Sequence, residues 1–352
     1  MSIPGSNESI SNENIAMTID AYENMQNGLG NELTFSPENR DYIIWKIGNF
    51  FNVNMSDVST SISSKDVDRW FDAKKTEFDW NYWKAYYELL IDQGRAKDVI
   101  EKNEQVINNI LDLSGDPRKS GRWARKGLVM GNVQSGKTQN YIGLVNKAID
   151  CGYKIIILLG GGNSNDLRKQ TQARVDEGVI GASSDDFILG NAQQRVGVGK
   201  FRDREFSVAT MTSTSDDFKK TTATTLRISL DDLKSPIIFT LKKNTNIMQN
   251  LYDWLKDFHS LNPEENIRLD YPMMLIDDEA DYATPNTRKE FQDATRTNSL
   301  IRQTIDLFNK STYIGYTATP FANIFIHPET YDEGSLKDDL FPENFMIRVP
   351  TP

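Results

Sequence analysis

The chain has 352 residues, 38% hydrophobic and 26% charged, enough for one large globular domain or two smaller ones. Its single cysteine excludes an internal disulfide, and together with only two histidines it argues against a zinc site. Of the net charge of −10, about −9 lies before residue 116, so the remainder is near neutral and carries no strongly basic footprint for nucleic acid.

No apolar run approaches the roughly 18 residues that a membrane helix needs. The opening stretch, Met1 to Asp20, lacks both the basic flank and the apolar core of a secretory signal, so the cytoplasm is the expected compartment. Residues 1–35, rich in Ser, Asn, Glu and Gly, read as a flexible segment. Residues 36–117 read as a small helical N-terminal domain. Leu89, Leu90, Val99, Ile100, Val106, Ile107, Ile110 and Leu111 recur with helical rhythm, and Ser114-Gly115-Asp116-Pro117 stops it. The dense aromatic run from Trp70 to Tyr87 suits the core of that domain; a base-stacking or partner-docking surface is the sharper alternative.

From Lys126 onward the texture changes. Short apolar runs alternate with helix-like segments: Gly127–Met130, Lys154–Leu159, Phe206–Thr210, Pro236–Thr240, Met273–Asp277 and Thr312–Thr317. Continuous apolar strands between helices predict an α/β domain over 118–352, with a mainly parallel sheet covered by helices on both faces.

The first of these strands runs into Gly131-Asn132-Val133-Gln134-Ser135-Gly136-Lys137-Thr138, which fits the phosphate-loop pattern G-x-x-x-x-G-K-[ST]. The glycines let successive N–H groups turn toward phosphate oxygens, and a helix over about 137–149 presents its positive end to the same anion. Gly131, Gln134, Ser135, Gly136, Lys137 and Thr138 are the expected nucleotide-binding set. Lys137 would reach the β- and γ-phosphates, and Thr138 would offer a hydroxyl to Mg²⁺. ATP and Mg²⁺ are the expected ligands.

Met273-Met274-Leu275-Ile276-Asp277 is an apolar strand that ends in Asp278-Glu279-Ala280-Asp281. Carboxylates at the carboxyl end of a strand lie where α/β sheets bind ligands. Asp278 is assigned to the metal and Glu279 to the attacking water; Asp277 as the metal residue is the alternative. After the strand Thr312–Thr317 comes Thr317-Ala318-Thr319-Pro320. Thr317 and Thr319 are expected to couple this loop to the acidic motif, with Asp281 as the natural hydrogen-bond partner. An ordinary strand-to-helix cap is compatible with the same residues.

Three segments carry weaker signals. Gly160 to Thr171, at a strand end, could meet a nucleic-acid backbone or be a turn with an N-cap. Lys242 and Lys243 sit where a DNA-tracking loop would lie, or are merely solvated. Arg118, Lys119, Arg122, Arg125 and Lys126 form a basic cluster that reads either as a phosphate contact or as a solvated linker.

In this order, Gly131–Thr138, Asp278–Asp281 and Thr317–Pro320 resemble motifs I, II and III of superfamily-2 helicases. More narrowly, Met130–Thr138, Leu275–Asp281 and Tyr313–Asn323, with Leu167 and Gln170-Thr171 matching motif Ia, are similar to the Z-one domain family, prokaryotic proteins often labelled endonucleases. The resemblance covers about residues 120–330. It implies a RecA-like P-loop ATPase domain, the first of the two in a helicase motor. It also implies a role in bacterial restriction or phage defence, acting on DNA with other defence-system proteins. After Pro320 only about 30 residues remain, so no second motor domain fits. The chain therefore reads as part of a longer protein that hydrolyses ATP slowly by itself. No carboxylate pair with a nearby lysine suggests nuclease chemistry, which is expected elsewhere. An ATP-dependent DNA motor module is thus the leading expectation. A nucleotide-gated interaction protein that docks a defence partner is the alternative, and an RNA remodeller a weaker third.

Overall fold

The computed structural model describes residues 67–131, 136–160, 162–191, 194–226, 235–259, 268–282, 292–318 and 342–349, with scattered residues elsewhere. The chain divides into two compact units, 1–62 and 63–352. In the first, Arg40 pairs with Asp20 and Glu23. A three-residue strand, Ser61–Ser63, straddles the division.

The second unit is an α/β structure built on seven strands. They are β1 (Trp123–Met130), β2 (Ile155–Gly160), β3 (Ala209–Thr210), β4 (Ile237–Lys242), β5 (Met273–Asp278), β6 (Lys310–Thr317) and β7 (Phe345–Arg348). Their order is β7-β1-β6-β5-β2-β4-β3, and every neighbouring pair is parallel. Parallel pairing needs long crossovers, and the helices that supply them cover the sheet. The apolar runs locate β2, β4, β5 and β6 within a few residues. The run at 206–210 is a strand only over Ala209–Thr210, and β1 begins at Trp123, inside the basic cluster.

Strands β2, β4, β5 and β6 send alternate side chains to two separate cores. Ile156, Leu158, Ile238, Met274, Ile276 and Ile314 face one. Ile155, Ile157, Leu159, Phe239, Leu275 and Tyr313 face the other. Burying both faces is what makes the strands read as unbroken apolar runs, each such side chain contributing about 1.5–3 kcal/mol. The first face is covered by α1 (Asn81–Asp92), α2 (Lys97–Leu113), α3 (Lys137–Cys151) and α4 (Asn165–Val175). The second is covered by α5 (Thr245–His259) and α6 (Gln292–Asp306).

The helical rhythm over 83–113 proves to be two helices, broken where Gly94 takes a left-handed φ of 76°. Trp70, Phe71, Phe78, Tyr82, Trp83 and Tyr86 are all buried in the core shared with α3. Helix α1 has no capping side chain of its own. Asp150, at the end of α3, accepts from the N–H groups of Tyr82 at 3.0 Å and Trp83 at 2.8 Å. That carboxylate does for α1 what a local N-cap would do. Lys147 of α3 is buried beneath the Trp83 ring at 4.7 Å and the Trp80 ring at 4.9 Å, with Glu104 at 2.5 Å. Buried cations need such partners.

Gly143 is the point of closest approach between these helices. A Cβ there would lie 2.6 Å from Ile107 and 3.1 Å from Trp83. Gly143→Leu should therefore lower stability by at least about 1–3 kcal/mol through overpacking. A denaturant melt with an unchanged midpoint would show that α1 and α2 do not pack on α3 in solution.

The basic cluster is neither a linker nor a continuous patch. Arg118 stacks on Phe78 at 4.1 Å, Lys119 pairs with Asp68, Arg122 with Asp306, and Lys126 with Glu343. It also lies at the amino end of β1, away from the edge where the strands terminate.

Candidate nucleotide site

Because the sheet is parallel, β1, β5 and β6 end at one edge. Register pairs Met130 with Thr317 across β1 and β6, and Asp278 with Tyr316 across β5 and β6. The glycine loop and the acidic turn therefore emerge side by side, one strand apart.

On the β1 side, Gly131 N–H donates to Thr317 O at 3.0 Å. Gln134 and Ser135 lie outside the described residues, as does Thr319. Gly136, whose φ of 77° is left-handed and suits glycine, leads into α3, which starts at Lys137. Its first turn leaves backbone N–H groups and the positive end of the helix facing the loop. Asn140, fully buried, fixes this end: it donates to Asn103 Oδ1 at 2.8 Å and accepts from the Tyr316 hydroxyl at 2.8 Å.

On the β5 side, the two adjacent aspartates differ sharply. Asp277 is fully buried, accepts from the Tyr313 hydroxyl at 2.9 Å, and pairs with Lys243 Nζ at 2.7 Å. It is committed inside the protein. Asp278 stands at the strand tip. Burial raises its carboxyl above the usual range, while the neighbouring Lys137 ammonium opposes that rise. Glu279 is the one non-glycine residue with positive φ among the described residues, at 54°. This turn is held open by hydrogen bonds: Lys243 Nζ donates to Glu279 O at 2.6 Å and Tyr282 O at 3.0 Å, and Ala280 N–H donates to Tyr316 O at 2.9 Å. Thr317 Oγ1 donates to Asp281 Oδ1 at 2.7 Å, joining the ends of β5 and β6.

Between the two sides sits Tyr141, one turn into α3 and fully buried. Its hydroxyl faces Thr138 and Asp278, the two polar side chains nearest to it. Burial pushes its ionisation far up, so it stays a donor. A buried hydroxyl, a threonine hydroxyl and a carboxylate with a lysine beside it, gathered where the strands end, suit a polar ligand. Among the described residues no cluster of three His, Cys, Asp or Glu side chains stands together. Thr138 and Asp278 alone would suit Mg²⁺, which keeps waters and shares phosphate oxygens instead of filling an all-protein cage.

Lys243 is the residue that sequence reasoning missed. It is buried, so it is neither a solvated lysine nor a DNA contact. The only sequence signal is its place one residue past an apolar strand. Arg168, in the motif Ia stretch, likewise turns inward, donating to Ser213 O at 2.7 Å and Thr214 O at 2.9 Å. Ser164 caps α4, accepting from Leu167 N–H at 3.4 Å.

A glycine loop leading into a helix, and an acidic strand tip one strand away in a parallel sheet, define the architecture. The domain is RecA-like. No protein-family model and no curated protein matches the chain. Among solved structures, the Pyrococcus furiosus Hef helicase domain aligns over 56% of this chain and 30% of its own, at 14% identity and a TM-score of 0.31. A DnaB-like replicative helicase aligns over 94% of this chain and 73% of its own, at 8% identity and a TM-score of 0.25. The chain thus spans less than a third of the Hef chain. No helix among the described residues is long and apolar enough to cross a membrane.

Proposed function

We propose that this chain binds ATP with Mg²⁺ and is the ATPase half of a superfamily-2 helicase-like DNA translocase. The observation that supports this most is the gathering of Lys137 beside Asp278, and of Asp278 and Thr138 beside the Tyr141 hydroxyl, at the edge where β1 and β5 end. Lys137 and the α3 N-terminus would hold the phosphates, Thr138 and Asp278 the metal. Glu279, set by its left-handed backbone, would orient the attacking water. Bound Mg²⁺ would supply charge neutralisation on the phosphates. The Thr317–Asp281 bond would tie nucleotide state to the loop that follows β6, where Thr319 lies. The motif wording supports assignment to the Z-one family and a role in bacterial defence with partner proteins. DNA would be the polymer the motor acts on.

A fluorescent ATP analogue should bind in the presence of Mg²⁺ and be released by EDTA. Turnover by the chain alone should be slow and, in a form carrying a second motor domain, should rise with duplex DNA. Stimulation by a protein partner but not by DNA would instead mark a nucleotide-gated switch. The buried state of the aromatics from Trp70 to Tyr86 weighs against them as that docking surface.

A further inference from the structure

Arg174 lies in the last turn of α4 with its side chain exposed. Its Nη1 donates to Thr138 Oγ1 at 3.1 Å. It makes no ion pair among the described residues. With Tyr86, Arg95, Gly136, Thr138 and Gln139 it lines a cavity of about 310 Å³ at the N-terminus of α3. Its charge also bears on the Tyr141 hydroxyl, which places the guanidinium on the same cluster as Thr138 and Asp278.

A guanidinium has five donors in a planar fork suited to carboxylate or phosphate. Here one of them rests on a neutral hydroxyl, a weak partner for an exposed cation. A divalent cation on Thr138 would set two positive centres on one oxygen, and their repulsion weakens the Arg174 bond. Filling the site therefore releases Arg174 a short distance from wherever the phosphates lie.

We propose that Arg174 is a phosphate-contacting arginine supplied in cis, which exchanges the Thr138 hydroxyl for oxygens of the terminal phosphate when Mg²⁺-ATP binds. This rests on the nucleotide reading above. It deepens that reading by giving this domain its own cation for γ-phosphate charge, the part otherwise expected from a second motor domain. It also gives α4 a direct line to the nucleotide, because the Thr138 bond is broken when the site fills.

The test measures binding of fluorescent ATP and ADP analogues with Mg²⁺ to the 352-residue chain and to Arg174→Ala, Arg174→Lys and Lys137→Ala. Arg174→Ala should lose on the order of tenfold in ATP affinity and less than about twofold in ADP affinity, with Arg174→Lys between. Its exposure makes the substitution harmless to folding, which a thermal melt checks. Lys137→Ala should lose both nucleotides. Equal affinities of Arg174→Ala and the parent chain for ATP would overturn the proposal, as would equal losses for ATP and ADP. In either case, loss of binding in Lys137→Ala would leave the nucleotide site standing. Absence of binding by the parent chain itself would remove the site and this proposal together.

Discussion

Replacing Lys137 with alanine is expected to weaken Mg²⁺-ATP binding by at least about a hundredfold. The reasoning starts from the electrostatics around Asp278, the half-buried carboxylate at the tip of β5 whose burial is opposed first by the Lys137 ammonium. A triphosphate brings several negative charges to the same place. Without Lys137 they would meet Asp278 opposed only by the α3 N-terminus, the buried Lys243 and, on the proposal above, Arg174, and each lost charge-assisted bond costs about 1.5–3 kcal/mol. The fold should not suffer, because Lys137 is half-exposed and outside both cores. A titration with a fluorescent analogue and a thermal melt together check this. Binding that survives in Lys137→Ala would sink the site assignment. Asp278→Asn should act differently: the analogue should still bind, but EDTA should no longer release it.

The second large effect is one of stability. Lys243→Met should destabilise the domain by roughly 3–5 kcal/mol, because it strands the fully buried Asp277 carboxylate. The Tyr313 hydroxyl at 2.9 Å cannot balance that charge alone. The carbonyls of Glu279 and Tyr282 also lose their donor, so the acidic turn should loosen and nucleotide binding should fall with it. The companion variant Lys243→Met/Asp277→Leu should recover much of the stability, since no charge then remains buried, but should not restore the turn. Denaturant melts of the two variants separate the terms. A single variant as stable as the parent chain would mean that Lys243 is not buried against Asp277 in solution.

Much of this arrangement is legible in the residues. Glycine spacing places a tight turn between β1 and α3, and unbroken runs such as Ile155–Leu159 reveal strands buried on both faces. Other features depend on what the chain meets after folding. Lys243 follows Lys242, and nothing local distinguishes a lysine that enters the core from one that stays at the edge. Asp150 caps a helix about 68 residues earlier in sequence, a pairing no short-range signal carries. The start of β1 at Trp123 is hidden by Arg125 and Lys126, whose charges break the apolar pattern while the backbone pairs with β6. Strand β7 follows the stretch 319–339 and is too short to be told from a loop.

The intervening strand β6 sets a length. It bonds to the glycine loop through Thr317 and to the acidic turn through Tyr316, so the two halves of the site stand two strand spacings apart, about 10 Å. That gauge is made of backbone, so side-chain exchanges leave it alone except where the backbones pack closest. Gly315 keeps it close: a Cβ there would come within 2.9 Å of Ala280. Any preference among ligands must then be sought in the groups that line the gap, while the span from the glycine loop to the Asp278 carboxylate is a fixed dimension of the domain.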